Sequence, residues 1–99
     1  MAPVIRRVII HGRVQGVGYR DWTRHAARSR GIAGWVRNRK DGSVEAVFSG
    51  SAQAVAEMIE ACRRGPSSAR VEWIDQQDAA PSELDLRRPS EDFSVLFSA

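Results

Sequence analysis

The stretch from Gly12 to Arg20 is the part of this sequence best equipped for chemistry. Gly12-Arg13-Val14-Gln15-Gly16-Val17-Gly18-Tyr19-Arg20 places three glycines between a β-rich run and a helical one. Glycine permits positive φ, and without side chains at Gly16 and Gly18 the backbone can approach a ligand and form a concave nest of N–H groups. The helix that follows adds its unsatisfied first-turn N–H groups and the positive end of its dipole. Such a nest suits an anion. The loop lacks both the Lys-Ser/Thr ending of a Walker-type loop and the Gly-x-Gly-x-x-Gly spacing of a dinucleotide fingerprint. Arg20 sharpens the reading, because a cation in the first turn opposes the helix dipole by about 0.3–1 kcal/mol. A phosphate held between nest and guanidinium would offset that cost through charge-assisted, bidentate bonds. Local sequence alone also admits a plain glycine turn, with Arg20 solvated or paired to Asp21.

The elements around the loop follow from periodicity. Val4 to Val14 reads as a strand, with Val8 and Ile10 on one face and Arg7, Ile9 and Arg13 on the other. Tyr19 to Arg30 reads as a helix with a stripe of Tyr19, Trp22, Ala26 and Ser29, closed by Gly31. Ile32 to Asn38 and Ser43 to Ser49 read as strands joined by a hairpin at Asp41-Gly42. Ser51 is an expected N-cap for a second helix with the stripe Val55, Met58, Ile59 and Cys62. Ala69 to Asp75 reads as a fourth strand with Val71 and Trp73 inward; residues 76–92 read as an exposed connection, and Phe93 to Phe97 as a short last strand. The order β-α-β-β-α-β predicts an α+β, ferredoxin-like split βαβ sandwich, an antiparallel sheet with two helices on one face. That fold hosts many activities.

Composition narrows the class. At 99 residues the chain is expected to form a single domain, residues 1–99, and 42% apolar residues can supply one core. No apolar run approaches the ~20 residues of a membrane span, and the N-terminus has no apolar signal region. A cytoplasmic location is therefore expected, with no membrane partner. Cys62 is the lone cysteine, which excludes an internal disulfide, and His11 and His25 do not make a metal site. No metal and no cofactor are expected. Charge is uneven: residues 1–42 carry ten basic residues against Asp21 and Asp41, whereas residues 43–99 carry five basic and ten acidic residues. The basic half should attract anions, either nucleic acid or a small phosphate compound. Fourteen of the fifteen cations are arginine, whose planar fork suits phosphate oxygens.

Three blocks carry a resemblance. Val14-Gln15-Gly16-Val17-Gly18-Tyr19-Arg20, Gly31-Ile32-Ala33-Gly34-Trp35-Val36-Arg37-Asn38 with Asp41-Gly42-Ser43-Val44-Glu45, and Gly65-Pro66-Ser67-Ser68-Ala69-Arg70-Val71 together resemble the acylphosphatase family over about residues 6–75. The resemblance implies a ferredoxin-like fold and metal-independent hydrolysis of a carboxylic–phosphoric mixed anhydride to a carboxylate and inorganic phosphate. It implies a phosphate-binding loop of Gln15, Gly16, Val17, Gly18, Tyr19 and Arg20, with Arg20 holding phosphate and Asn38 orienting water. The partners it implies are a small acyl phosphate and the phosphate product. A monomer and a free-standing enzyme beginning at Met1 are expected. The stretch after Asp75 matches weakly, and Arg39-Lys40 adds charge beside Asn38.

Blander readings stand beside these. An asparagine at a strand end before a hairpin is ordinarily turn chemistry. His11 and His25 read as strand and helix-face residues, Cys62 as a buried small hydrophobe, Glu57 and Glu60 as a solvated face, and Trp22, Trp35 and Trp73 as core or edge-of-core residues. A rival function is an RNA-binding module of the same topology, but Ser-Val-Glu-Ala-Val-Phe-Ser lacks the stacking-aromatic signature of its central strand. A third is a small anion-binding or regulatory domain without catalysis.

Overall fold

Alternating apolar residues draw Val4–Arg13 into β1, whose inward Val8 and Ile10 are fully buried. In the computed structural model, which describes residues 3–99, the chain continues through α1 (Tyr19–Ser29), β2 (Ala33–Asn38), β3 (Val44–Gly50), α2 (Ala52–Cys62), β4 (Arg70–Asp78), a 3-10 helix (Pro81–Leu86) and β5 (Phe93–Val95). The five strands lie in the order β4-β1-β3-β2-β5, all pairs antiparallel except β2 with β5. The expected β-α-β-β-α-β order is present, and the short last strand adds a parallel edge to the antiparallel sheet. Helix α1 packs over β2 and β5, and α2 over β1 and β3.

Register decides where the loop and the hairpin meet. Val44 at the start of β3 pairs with Ile10 of β1 on one side and with Asn38 of β2 on the other. Strands β1 and β2 therefore run parallel with β3 between them, and their C-terminal ends emerge at one edge. The loop after β1 and the hairpin after β2 become neighbours although 24 residues separate Gln15 from Arg39.

Several sequence expectations need correction. The α1 stripe is rotated: Tyr19, Thr23 and Ala27 are fully buried, Trp22 and Ala26 flank them, and Ser29 is exposed. Thr23 can face the core because its hydroxyl donates to the Tyr19 carbonyl one turn earlier, at 2.8 Å, and so needs no outside partner. Trp73 is 52% exposed, not inward. The β1–β4 register shifts between His11 and Gly12, pairing His11 with Trp73 but Gly12 with Val71. Glu72 is the extra residue of a bulge, so inward positions before and after it fall at Val71 and Ile74. Residues 76–92 are not a bare connection: β4 runs on to Asp78, and the 3-10 helix covers the far side of β2, where the Trp35 indole donates to the Glu83 carbonyl at 2.7 Å.

Strand pairing compensates part of the uneven charge of the two halves. Arg6 meets Asp78 at 2.7 Å, and the buried Glu45 accepts from Arg37 at 2.8 Å and Arg7 at 3.5 Å. Arg13, Arg20, Arg24, Arg28, Arg30, Arg39 and Lys40 form no ion pair among the described residues, so the basic charge of the N-terminal half is left at the end of β1, on α1 and its C-cap, and on the hairpin. Cys62 is buried, as its apolar stripe implies, and Glu57 and Glu60 are exposed. Burial pushes the Cys62 thiol up to about 12, which keeps it protonated at neutral pH.

Candidate active site

Where β1 ends, alternation gives way to residues 14–18, and both loop glycines take positive φ: Gly16 at 74° and Gly18 at 79°. Gly18 is the N-cap of α1 in the left-handed region, and no side chain caps the helix. Among the described residues, the backbone N–H groups of residues 15–21 donate to no acceptor in the protein; the first loop-to-helix bond is from Trp22 to Gly18. A helix start normally satisfies these donors with a side chain, water or a ligand. Here they remain available beside a pocket of about 280 Å³ whose wall includes Gly16, Gly18, Tyr19, Arg20 and Asn38.

Two anchors hold this loop. From below, the buried Tyr19 hydroxyl donates to the Cys62 carbonyl at the end of α2, at 2.5 Å. Burial pushes the phenol well above its ordinary pKa, so it stays a neutral donor. From the side, the Gln15 amide donates to the carbonyls of Arg39 and Ser43, both at 2.8 Å. The hairpin it grips is itself built by Asp41, whose carboxylate accepts from the Ser43 hydroxyl at 2.5 Å and the Ser43 N–H at 2.9 Å. Those two bonds hold Asp41 below the usual carboxylate range.

Of the residues that the sequence marks, the structure brings Gly16, Gly18, Tyr19, Arg20 and Asn38 to one pocket. The side chains of Gln15 and Val17 are not in its wall, whereas their main-chain N–H groups belong to the unengaged set of the loop. The Gln15 amide points into the hairpin, and Val17 packs against the core. Tyr19 offers the pocket its main chain, since its ring is buried and its hydroxyl is engaged. Arg20, half-buried, makes no ion pair and no side-chain hydrogen bond among the described residues, so the pairing with Asp21 is not formed. The Asn38 side chain likewise has no protein partner there, while its carbonyl accepts from the Ala99 N–H at 3.0 Å. Arg39 and Lys40 lie in the hairpin turn off the pocket wall.

The sequence missed three wall residues. Val14 is the apolar floor that ends the β1 alternation, and Asp21 stands on the rim. Val95 arrives from β5, whose parallel pairing with β2 sets Val95 against Val36, two residues before Asn38. Period-2 patterning in so short a strand does not fix its partner or register. The histidines are elsewhere: His11 stacks on Trp73 with ring centroids 4.3 Å apart and lies 3.0 Å from the Asp75 carboxylate, and His25 is exposed on α1. Among the described residues, no group of three or more His, Cys, Asp or Glu side chains is placed to hold a metal.

The loop glycines face open space, with no heavy atom near a Cβ built at either one. Gly18 lines the pocket, and a side chain there has room but must adopt a backbone conformation that costs a β-branched residue about 1–3 kcal/mol. Gly18→Val is expected to raise the inhibition constant of inorganic phosphate at least about tenfold, the factor equal to about 1.4 kcal/mol, measured by competition against an acyl phosphate. An unchanged constant counts against an anion nest at this loop.

Comparison with known proteins finds relatives over nearly the whole chain. The acylphosphatase family profile matches residues 6–95. A Rhodopseudomonas palustris protein named acylphosphatase is 58% identical over 96 residues, covering 97% of each chain. The solved acylphosphatase of Bacillus subtilis is 33% identical, with a TM-score of 0.81 over 94% of this chain and 98% of its own. That of Coxiella burnetii is 27% identical, with a TM-score of 0.82 over 96% and 94%.

Proposed function

The chain belongs to the acylphosphatase family, hydrolases of the carboxyl–phosphate bond of acyl phosphates, and from that premise we propose that it cleaves this bond in the pocket between the glycine loop and Asn38. The observation that carries the proposal is the set of unengaged N–H groups at residues 15–21, opening beside the unpaired Arg20 guanidinium. Together they make a cradle for a tetrahedral dianion: main-chain donors on one side, a two-pronged cation on the other.

The chemistry asks little else of the protein. Water attacks phosphorus, the bond from phosphorus to the carboxyl oxygen breaks, and a carboxylate and inorganic phosphate leave. A carboxylate departs without protonation, so no general acid is needed. The phosphoryl oxygens carry the spread charge of a loose transition state, and fixed donors at those oxygens lower the barrier without reorganising. Removing one such donor typically costs about 3–4 kcal/mol of barrier. The Asn38 amide orients the attacking water in line with the leaving oxygen, and the substrate phosphate takes the water's proton. Val14 and Val95 give the pocket an apolar side against which the acyl group rests.

All of these groups come from one chain, so the site needs no second copy, which supports a monomer. Away from the helices β1 and β3 turn Arg7, Ile9, Glu45 and Val47, and the His11 ring on that face is already stacked on Trp73, an arrangement unlike the row of free stacking aromatics that the RNA-binding reading requires.

Benzoyl phosphate hydrolysis in the presence of excess EDTA tests the reading. Turnover unchanged by chelation is the expected result. Absent turnover in a folded protein overturns the enzymatic assignment, and loss on chelation overturns its metal-free form.

A further inference from the structure

We infer that Gln15 is a positioning residue, the strut that fixes the distance between the phosphate cradle and the water-orienting Asn38; the inference rests on the site proposed above. The three parts belong to separate pieces of chain. The cradle follows β1, Asn38 ends β2, and the hairpin from Arg39 to Ser43 continues directly from Asn38. Backbone pairing joins β1 and β2 only through β3, and none of it reaches the loop beyond Arg13. The Gln15 amide crosses that gap. Its two N–H bonds, each 2.8 Å, end on the carbonyl immediately after Asn38 and on the carbonyl that closes the hairpin. One planar amide with two short bonds fixes both distance and orientation, which a single bond would not do.

The role is separable from folding. Without Gln15 each hairpin carbonyl keeps a main-chain donor, Gly42 to Arg39 at 3.2 Å and Arg39 to Ser43 at 2.9 Å. The Asp41 bonds to Ser43 also remain. The hairpin therefore survives as a unit and loses only its tie to the loop. Phosphate binding depends on it far less, because the Gln15 side chain is directed away from the pocket wall and the loop keeps its other anchor, the Tyr19 hydroxyl on the Cys62 carbonyl. Turnover should suffer far more than affinity for phosphate, since a misplacement of about 1 Å between reacting groups costs up to about 100-fold.

The test is a double-mutant cycle on kcat for benzoyl phosphate, with the inhibition constant of inorganic phosphate measured for every variant. Gln15→Leu, close in volume, is expected to lower kcat by about 10- to 100-fold. The same substitution should lower kcat by less than about threefold in the Asn38→Ala background, as expected of two residues acting as one unit. The phosphate inhibition constant should stay within about threefold of the parent value throughout. Gln15→Glu keeps the side-chain length but sets an acceptor against two carbonyls, and should show the same pattern with a larger loss. Equal losses with and without Asn38, or an inhibition constant that rises in step with the lost turnover, overturn the assignment. Parent-like turnover in Asn38→Ala alone overturns the underlying site reading and this inference together, whereas loss there with additive Gln15 effects overturns this inference only.

Discussion

Arg20→Ala is expected to lower kcat/KM for benzoyl phosphate by about 10³-fold, close to 4 kcal/mol of barrier, while leaving the folded protein at least as stable as the parent. The two halves of that expectation have one cause. Arg20 occupies the first turn of α1, where its charge opposes the helix dipole, and among the described residues no carboxylate compensates it. Its removal costs no ion pair and relieves an unfavourable field worth about 0.3–1 kcal/mol. The benefit of keeping it appears only with a dianion in the pocket. Ligand-dependent stability should report the same thing: phosphate at about 100 times its dissociation constant stabilises a binding-competent protein by about 2.7 kcal/mol, and that gain should largely vanish in the variant. Thermal unfolding with and without phosphate, together with steady-state kinetics, supplies both readings. Turnover within tenfold of the parent, or a phosphate effect on stability that persists, refutes the role.

Asn38→Ala is expected to cost about 10²- to 10³-fold in kcat with little change in phosphate inhibition. The structure separates this residue from the anion cradle. It stands on the opposite strand of the pocket, its side chain has no partner in the described protein, and its main chain is held on both sides, by Val44 of β3 and by Ala99. Truncating the amide therefore leaves the strand in place and removes only the group proposed to orient water. Product phosphate binds without an attacking water, so its inhibition constant should not register the loss. The far-UV circular dichroism spectrum should match the parent. A variant that loses phosphate affinity as steeply as turnover would make Asn38 part of the cradle instead.

Read residue by residue, the sequence was most informative where one interaction dominates locally. Gly16 and Gly18 need positive φ, Ser51 caps α2 by accepting from the Ala54 N–H at 3.1 Å, and the stripe of Val55, Met58, Ile59 and Cys62 has one apolar side to bury. Such features depend on a few adjacent residues, so they survive without knowledge of the fold. The reading faltered where a polar group is satisfied by its own helix, as at Thr23, or where an inserted residue flips the pleat, as at Glu72 beside the exposed Trp73. Neither leaves a signature in the order of apolar and polar residues.

The sequence by itself determined the order of elements, the glycine loop between β1 and α1 and, through resemblance, the two residues proposed for the chemistry. Tertiary structure decided which of the marked residues face one another. It turned the side chains of Gln15 and Val17 away from the pocket wall, added Val14, Asp21 and Val95 to it, and paired Arg6, Arg7 and Arg37 with carboxylates across strands while leaving Arg20 free of ion pairs among the described residues. The physical reason is that spacing along a chain constrains only neighbours within a turn or a strand. Contact between Gln15 and Arg39, or between β5 and β2, depends on sheet order and register, which are set by burying the whole core at once.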